Sequence, residues 1–185
     1  MSLFLRLFWV LWRATRKSKL GPLNHSVVRL RVWPTDLDLN RHMNNGRYLT
    51  IMDLGRLDLL TRTGIVRLAR VNKWVPIVGF VSVRFRRPLH LFQAYELHTW
   101  ISHWDEKWFY VRQEFRVGQH IYASAWLKGL LRHHRGSIAP REVLAAIDYH
   151  IASPSPLDQE VWNGLTAMVR QEAKTLTTGV SPQPP

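Results

Sequence analysis

From Asn44 to Thr61 the chain reads as a helix that is apolar nearly all the way round. Tyr48, Leu49, Ile51, Met52, Leu54, Leu57, Leu59 and Leu60 leave no wide polar face. Such a helix must be covered on most sides, so the rest of the chain has to wrap it. Gly55 lies at its middle. A glycine there lowers helix propensity by about 1 kcal/mol against alanine, so its presence predicts a close packing contact. The cover is visible in the flanking pattern. His25 to Trp33 alternates and is β-branched, and Pro34 closes it, which predicts a strand. Four more strand-like runs follow the helix, over 75–87, 92–103, 108–117 and 120–131. In the third, Phe109, Val111, Phe115 and Val117 alternate with Tyr110, Arg112, Glu114 and Arg116. Asp105-Glu106 and Gly118-Gln119 sit where tight connections belong, and a Gly in first place suits a two-residue hairpin loop. The expected order is strand, long buried helix, then a four-strand antiparallel meander: one helix layer on one sheet, an α+β architecture.

Length and composition narrow the class further. The 185 residues suit one domain, and a chain of that size can bury a core without staples. There is no cysteine, which excludes a disulfide framework, a thiol nucleophile and every cysteine-based metal site. Lys and Arg number 26 against 13 for Asp and Glu, a formal net charge of +13. That balance points to an anionic partner: nucleic acid, a membrane surface, or a phosphate-bearing cofactor or carrier.

The organisation expected is a basic amphipathic segment over 1–22, a body over 23–152, and a helix with a frayed tail over 153–185. In residues 1–20, large apolar groups stand beside Arg6, Arg13, Arg16, Lys17 and Lys19 with no acid. Arg6 breaks the apolar run, which is too short to span a bilayer. No small-residue cleavage site follows it. Two readings stay open: a helix lying on an anionic membrane surface, or a helix docked on its own protein or on a second subunit. After the body, residues 140–151 read as a helix with Pro140 in its first turn. Residues 157–173 read as another, with Leu157, Val161, Trp162, Leu165, Met168 and Val169 at helical spacing.

The chemistry concentrates in Pro34 to Tyr48, PTDLDLNRHMNNGRY. Asp36, Asp38, Asn40, His42, Asn44 and Asn45 crowd the mouth of the apolar helix. One reading is a capping loop, with Asn44 as N-cap and the aspartates making local turns. The other is chemical. A carboxylate beside an amide and an imidazole can serve as a general base or nucleophile with groups to orient it or a water. Free N–H groups at the helix start can receive an oxyanion, and the helix dipole adds to them. That layout fits acyl transfer to water without a serine or a metal.

DLDLNRHMNN followed by Tyr48 resembles the signature of hotdog-fold thioesterases, the 4-hydroxybenzoyl-CoA thioesterase-like group and the acyl-ACP thioesterases with their Asp-x-Asn-x-His core. The longer string RVWPTDLDLNRHMNNGRYL, continuing to MDLGRLDLL, is most similar to the branch called thioesterase superfamily member six. The resemblance covers roughly residues 25–145. It implies a hotdog fold, a helix wrapped by a curved antiparallel sheet, and a homodimer with sites at the subunit boundary. It implies hydrolysis of an acyl-CoA or acyl carrier protein thioester, with no cofactor and no metal. Asp38 matches the carboxylate base or nucleophile. Asn40 and His42 match its polar partners, and Asn45 matches the residue whose backbone N–H polarises the thioester carbonyl. The cysteine of some acyl-ACP thioesterases has no counterpart here.

Other residues weigh less. Arg84, Arg86 and Arg87 leave a strand together beside Pro88. Arg84 and Arg86, on one side by alternation, could hold the phosphates of CoA or an acidic carrier, or form a solvated basic edge. Asp53 with Arg56, and Asp58 with Arg62, read as helix pairs. His133-His134 is poor geometry for one metal, and His98 and His103 fall on opposite strand faces. Trp100, Trp104, Trp108 and Trp126 read as core or interface. Nucleic acid rests on charge alone, since no RRM, KH or zinc-finger pattern occurs. The expected function is therefore acyl-thioester hydrolysis in the cytoplasm, peripheral to a membrane where residues 1–20 bind one. The competing reading is a hotdog protein of little turnover that binds lipid or serves as a membrane-associated scaffold.

Overall fold

The wrapped helix is α2, Asn45–Arg62, in a computed structural model that describes residues 3–154. Asn44 caps it, its side-chain oxygen accepting from the Gly46 N–H at 2.8 Å. Tyr48, Ile51, Met52, Leu54 and Leu59 are all buried. Gly55 is the close contact its sequence position predicted. A Cβ there would stand 2.5 Å from Thr99 Oγ1 and 2.7 Å from Leu97 Cδ2, so only glycine lets the helix settle onto the sheet at this depth.

The sheet is fully antiparallel. Its strands are β1 (Ser26–Arg31), β2 (Val75–Phe85), β3 (Ala94–Trp104), β4 (Phe109–Val117), β5 (His120–His133) and β6 (Gly136–Ile138). They run in the order β1-β3-β4-β5-β2, with β6 paired to β5. The sheet curls around α2, the helix-in-sheet arrangement that defines the hotdog fold. Gly118 takes φ +56° in the turn between β4 and β5, a conformation that suits the first place of a two-residue hairpin. Asp105 organises the turn before β4, its Oδ1 accepting from the N–H of Lys107 at 2.8 Å and of Trp108 at 2.6 Å.

The four-strand meander does not form as a whole. β3, β4 and β5 make the meander, but β2 crosses over to pair with β5, and β1 pairs with β3. Alternation fixes which side of a strand faces the core, and it is silent on which strand lies next to it. The chain between β2 and β3 is a crossover, not a turn. Leu89 is buried within it and its carbonyl accepts from Met43 N–H at 2.9 Å, while the N–H groups of Arg86 and Arg87 reach the Tyr122 carbonyl. Two further elements have no sequence expectation: β6, and α3 (Ile65–Asn72), which starts after Gly64 turns the chain at φ +83°. The helix expected over 140–151 is shorter, α4, Pro140–Ala145. The helix expected over 157–173 lies outside the described residues.

The N-terminal segment forms α1, Leu3–Arg16, and belongs to the same structural unit as the sheet. Its inward face is Arg6, Val10 and Ala14, with Leu3, Leu7 and Trp9 packed against the core. Phe4, Leu5, Phe8 and Trp12 point outward. The charge that breaks the apolar run is thus buried, while the aromatic groups are exposed, the reverse of ordinary burial preference. Docking on its own protein accounts for the inner face of α1 and leaves the outer face open.

Candidate active site at the mouth of the central helix

Strand β1 ends at Arg31, and a turn of 3₁₀ helix at Pro34–Asp36 swings the chain towards the start of α2. The loop between them is tied to itself. Asp38 N–H donates to the His42 carbonyl at 2.9 Å, and Arg41 N–H to the Asp38 carbonyl at 3.1 Å. Arg41 holds φ +60°, a left-handed conformation uncommon for a residue with a Cβ. Asp38 is half-buried. Its Oδ1 accepts from the N–H of Asn40 at 2.9 Å and of His42 at 3.4 Å, while Oδ2 accepts no hydrogen bond from the described residues. So Asn40 and His42 do meet Asp38, but through their backbone N–H groups.

The His42 ring instead faces His90 from the crossover, with centroids 5.0 Å apart, and the two backbones form an isolated bridge. Asn45 is the first residue of α2 and is exposed. Gly46 N–H goes to the Asn44 side chain and Arg47 N–H to the Asn44 carbonyl, which leaves Asn45 N–H as the donor of this helix start with no acceptor among the described residues. Arg84, at the end of β2, and Arg86, just beyond it, are exposed at the same end of the molecule: Phe85 between them packs edge-on against Tyr48 of α2, centroids 5.1 Å apart. Burial pushes the Tyr48 hydroxyl up to about 12, so it stays protonated at neutral pH.

The deepest ionic contact of this region is a pair that the sequence pattern does not predict. Asp36, two residues before Asp38, is buried and meets Arg6 of α1, Nη2 to Oδ2 at 2.6 Å. The same Oδ2 accepts from Trp33 N–H at 2.8 Å, and Oδ1 lies 3.4 Å from Arg47 Nε. Removing one partner of a buried pair costs about 3–5 kcal/mol, whereas removing both charges together costs far less. The one signal for it in the sequence was an arginine standing alone in an apolar run. His90 had no signal, because it reaches the loop only through the crossover.

A cavity of about 260 Å³ lies elsewhere, between the C-terminal half of α2 and the sheet. Leu57, Leu60, Ile77, Val78, Leu127 and Leu130 contribute its apolar wall. Asp53 and Arg56 stand at its polar end, paired with each other, and Arg56 Nη1 donates to the buried Gln113 at 2.8 Å. At 1.5 Å rise per residue, its helix positions lie roughly 12–22 Å along α2 from Asn45. Asp38 therefore stands at the other end of the helix from this cavity.

Residues 32–163 match the model of the thioesterase-like superfamily. Protein THEM6 of Danio rerio is 42% identical over 113 residues, 60% of this chain and 56% of that protein. Thioesterase poxG of Penicillium oxalicum is 29% identical over 114 residues, 54% of this chain and 38% of its own length. The chain thus spans little more than half the length of the curated relatives it matches first. Among solved structures, the probable thioesterase YbaW of Escherichia coli is similar at a TM-score of 0.60 with 19% identity, over 65% of this chain and 97% of YbaW. A gentisyl-coenzyme A thioesterase is similar at 0.59, again with 19% identity, over 65% of this chain and 99% of that one. These structural likenesses carry the fold. With the match over residues 32–163 they make this chain a member of the thioesterase-like superfamily.

Proposed function

We propose that this protein hydrolyses an acyl thioester of CoA or of an acyl carrier protein to the free acid and a thiol, with Asp38 as the reacting carboxylate. The observation that carries the reading is the pairing of a carboxylate held by one oxygen with an unused helix-start N–H. Asp38 Oδ1 is anchored by two backbone donors, Oδ2 is left to act, and Asn45 N–H is available to a carbonyl oxygen. Water adds to the thioester carbon as Oδ2 takes its proton. The negative charge moves to the carbonyl oxygen, which Asn45 N–H and the helix dipole receive. Collapse breaks the C–S bond, and the departing thiolate takes the proton back from Asp38. In the nucleophilic variant Oδ2 itself attacks, and water then hydrolyses the mixed anhydride. Asn40 and His42 hold the carboxylate in line. Arg84 and Arg86 hold the thiol carrier's phosphates and act mainly on KM, because that binding is equal in ground and transition states.

The distance between Asp38 and the cavity supports a homodimer. β2 is an edge strand, and its Val75, Val78, Val81 and Phe85 are exposed. A long apolar edge of this kind calls for a partner strand. Antiparallel pairing of two β2 strands about a twofold axis sets the start of one, where the cavity lies, beside the end of the other, where Phe85 meets Tyr48. The acyl chain then occupies the cavity of one subunit and the thioester meets the loop of its partner. Sedimentation equilibrium is expected to give a dimer, and a monomer active at high dilution argues against the shared site. The outer face of α1 supports a peripheral membrane setting: Phe4, Leu5, Phe8 and Trp12 are exposed beside Arg13 and Arg16, which stack over Trp9 and Trp12. Because Arg6 and Val10 are in the core, the test is Phe8→Ser with Trp12→Ser, not deletion, and loss of co-sedimentation with anionic vesicles is expected.

The deciding experiment is Asp38→Asn on a panel of acyl-CoA and acyl carrier protein thioesters. The amide keeps an oxygen for the Asn40 and His42 donors, so the loop stays folded. Turnover is expected to fall at least about 100-fold, the usual loss for a general base or nucleophile. Parental turnover in the variant removes Asp38 from the reaction, and no cleavage by the parent on a broad panel removes the hydrolase reading altogether. In single turnover in ¹⁸O-water, label in Asp38 establishes the anhydride route with water adding at the Asp38 carbonyl, and an acyl group trapped on Asp38 by hydroxylamine establishes it where water adds at the acyl carbon.

A further inference from the structure

We infer that Arg6 is a positioning residue of the Asp38 loop, so that α1 belongs to the working site. This rests on the reading of Asp38 as the reacting carboxylate. Asp36 is the knot. Its carboxylate holds Arg6 of α1 at 2.6 Å, Trp33 N–H at 2.8 Å and Arg47 of α2 at 3.4 Å, and its own carbonyl accepts from Asn44 N–H at 2.8 Å. Arg47 also donates to the Thr35 carbonyl at 2.9 Å. Residues 37–43, which carry Asp38, therefore leave from Asp36 and return to a residue bonded to Asp36. Both feet of the loop stand on one residue: the Asp36 carbonyl holds Asn44, and the Asp36 carboxylate holds Trp33 N–H and Arg47.

That carboxylate is oriented from behind by Arg6. Arg6 is 1% exposed, and its Nε and Nη1 are buried with no hydrogen-bond partner. A guanidinium desolvated in this way is a poor source of stability compared with an apolar side chain of the same size. What it supplies and an apolar group cannot is a fixed direction for the Asp36 carboxylate. The reacting oxygen sits two residues further on, in a loop already strained at Arg41, where a small misplacement is amplified into a large loss of rate.

The test compares Arg6→Met, Arg6→Lys and the double variant Arg6→Met with Asp36→Asn, in the full chain, by steady-state kinetics on the substrate the parent cleaves best. Thermal melting and near-UV circular dichroism report the folded fraction. Arg6→Met is expected to lower kcat at least about tenfold per folded molecule with KM within about twofold, and Arg6→Lys to restore part of that loss. The double variant leaves no buried charge unpaired, so its melting temperature is expected to recover towards the parent while its kcat stays low. That split is what a purely structural pair would not give. Parental kcat in any folded Arg6→Met form, single or double, overturns the inference. So does a loss of activity that merely tracks loss of folded protein, including failure of both forms to fold. Asp38→Asn, assayed alongside, keeps the two readings apart. Its retention of turnover fails the assignment of Asp38 as the reacting carboxylate, whereas its loss together with parental Arg6 variants fails this inference alone.

Discussion

At its N-terminal end α2 opens onto a loop of short polar side chains, partly exposed, with one residue in a left-handed conformation and hydrogen bonds that run mainly to backbone. At its C-terminal half the same helix faces Leu127, Leu131, Ile101 and Phe109 across an apolar cavity, where Asp53 and Arg56 pair on the lining and Arg56 donates to the buried Gln113 behind it. On the proposed reading, one helix carries chemistry at one end and shape at the other. The loop end holds its geometry through a few directional bonds, so changes there should move rate more than stability. The cavity end holds its geometry through packing, so changes there should move stability and chain-length preference more than the chemical step.

The sharpest break of that comparison is Leu59→Ala. Leu59 is buried on the cavity side of α2 beside Ile65 and Val143. Deleting a buried leucine to alanine costs about 2–5 kcal/mol, and a site already bordering a cavity cannot collapse fully around the loss. Urea unfolding should show that loss, while kcat below the transition stays near the parent. Asp38→Asn should do the opposite and leave the urea midpoint in place. Similar midpoint shifts in both variants would mean that the two ends are not separate.

Next in size is Ile77→Phe, which adds volume to the cavity wall from the edge strand. A pocket that reads chain length by shape discriminates by about tenfold or more per methylene or two. The variant is expected to lose at least about tenfold in kcat/KM on its longest good substrate and little on short acyl chains. An equal loss on all lengths would place the acyl chain outside this cavity.

The two ends also differ in how legible they were. The loop stood out in the sequence because its polar groups are contiguous: Asp36, Asp38, Asn40, His42 and the helix cap lie in one short string, and its resemblance to the thioesterase signature sets it apart from an ordinary capping loop. Alternation and the Gly118 and Asp105 turns made the meander of β3 to β5 readable as well. The cavity was not readable, since its wall is drawn from α2, α3, β2, β3, β4 and β5, and no local pattern marks residues that meet only when the sheet curls. The crossing of β2 to β5 was hidden for the same reason. Arg6 misleads a reader of composition, because cations beside aromatics suggest a surface, and only the facing Asp36 makes burial tolerable.

A smaller contrast is in pH response. His103 lies on β3 beyond Ile101, buried and stacked on Tyr110 with centroids 4.2 Å apart. Burial holds its imidazole below the ordinary value of 6.5, against the opposing charge of Asp105. His25 is lowered too, by burial and then by the charges of His98 and Arg116. The native state therefore binds fewer protons than the unfolded chain once the pH falls below about 6.5, so stability is kept above that value and declines beneath it. The melting temperature is expected to fall between pH 7.5 and 5.5, with His103→Gln flattening part of the slope. An unchanged slope in His103→Gln would take this histidine out of the account.

The smallest expected effect tests whether the strain in the loop is functional in itself. Arg41 is exposed and holds φ +60°, and its side chain makes no hydrogen bond or ion pair among the described residues. A left-handed residue with a Cβ costs about 1–2 kcal/mol relative to glycine's freedom there. Replacing it with glycine returns about 0.4–1 kcal/mol of that as added entropy of the unfolded chain. Arg41→Gly should therefore range from neutral to stabilising by about 1.6 kcal/mol. The bond from residue 41 N–H to the Asp38 carbonyl survives the change, so Asp38 keeps its place and kcat should stay within about twofold of the parent. Arg41→Val, β-branched and forced into the same backbone, should lose both stability and rate. If Arg41→Gly instead lowers kcat tenfold with its melting temperature unchanged, the arginine side chain acts on the substrate. The loop end would then owe its chemistry to more than the backbone geometry that Asp36 and Asp38 hold.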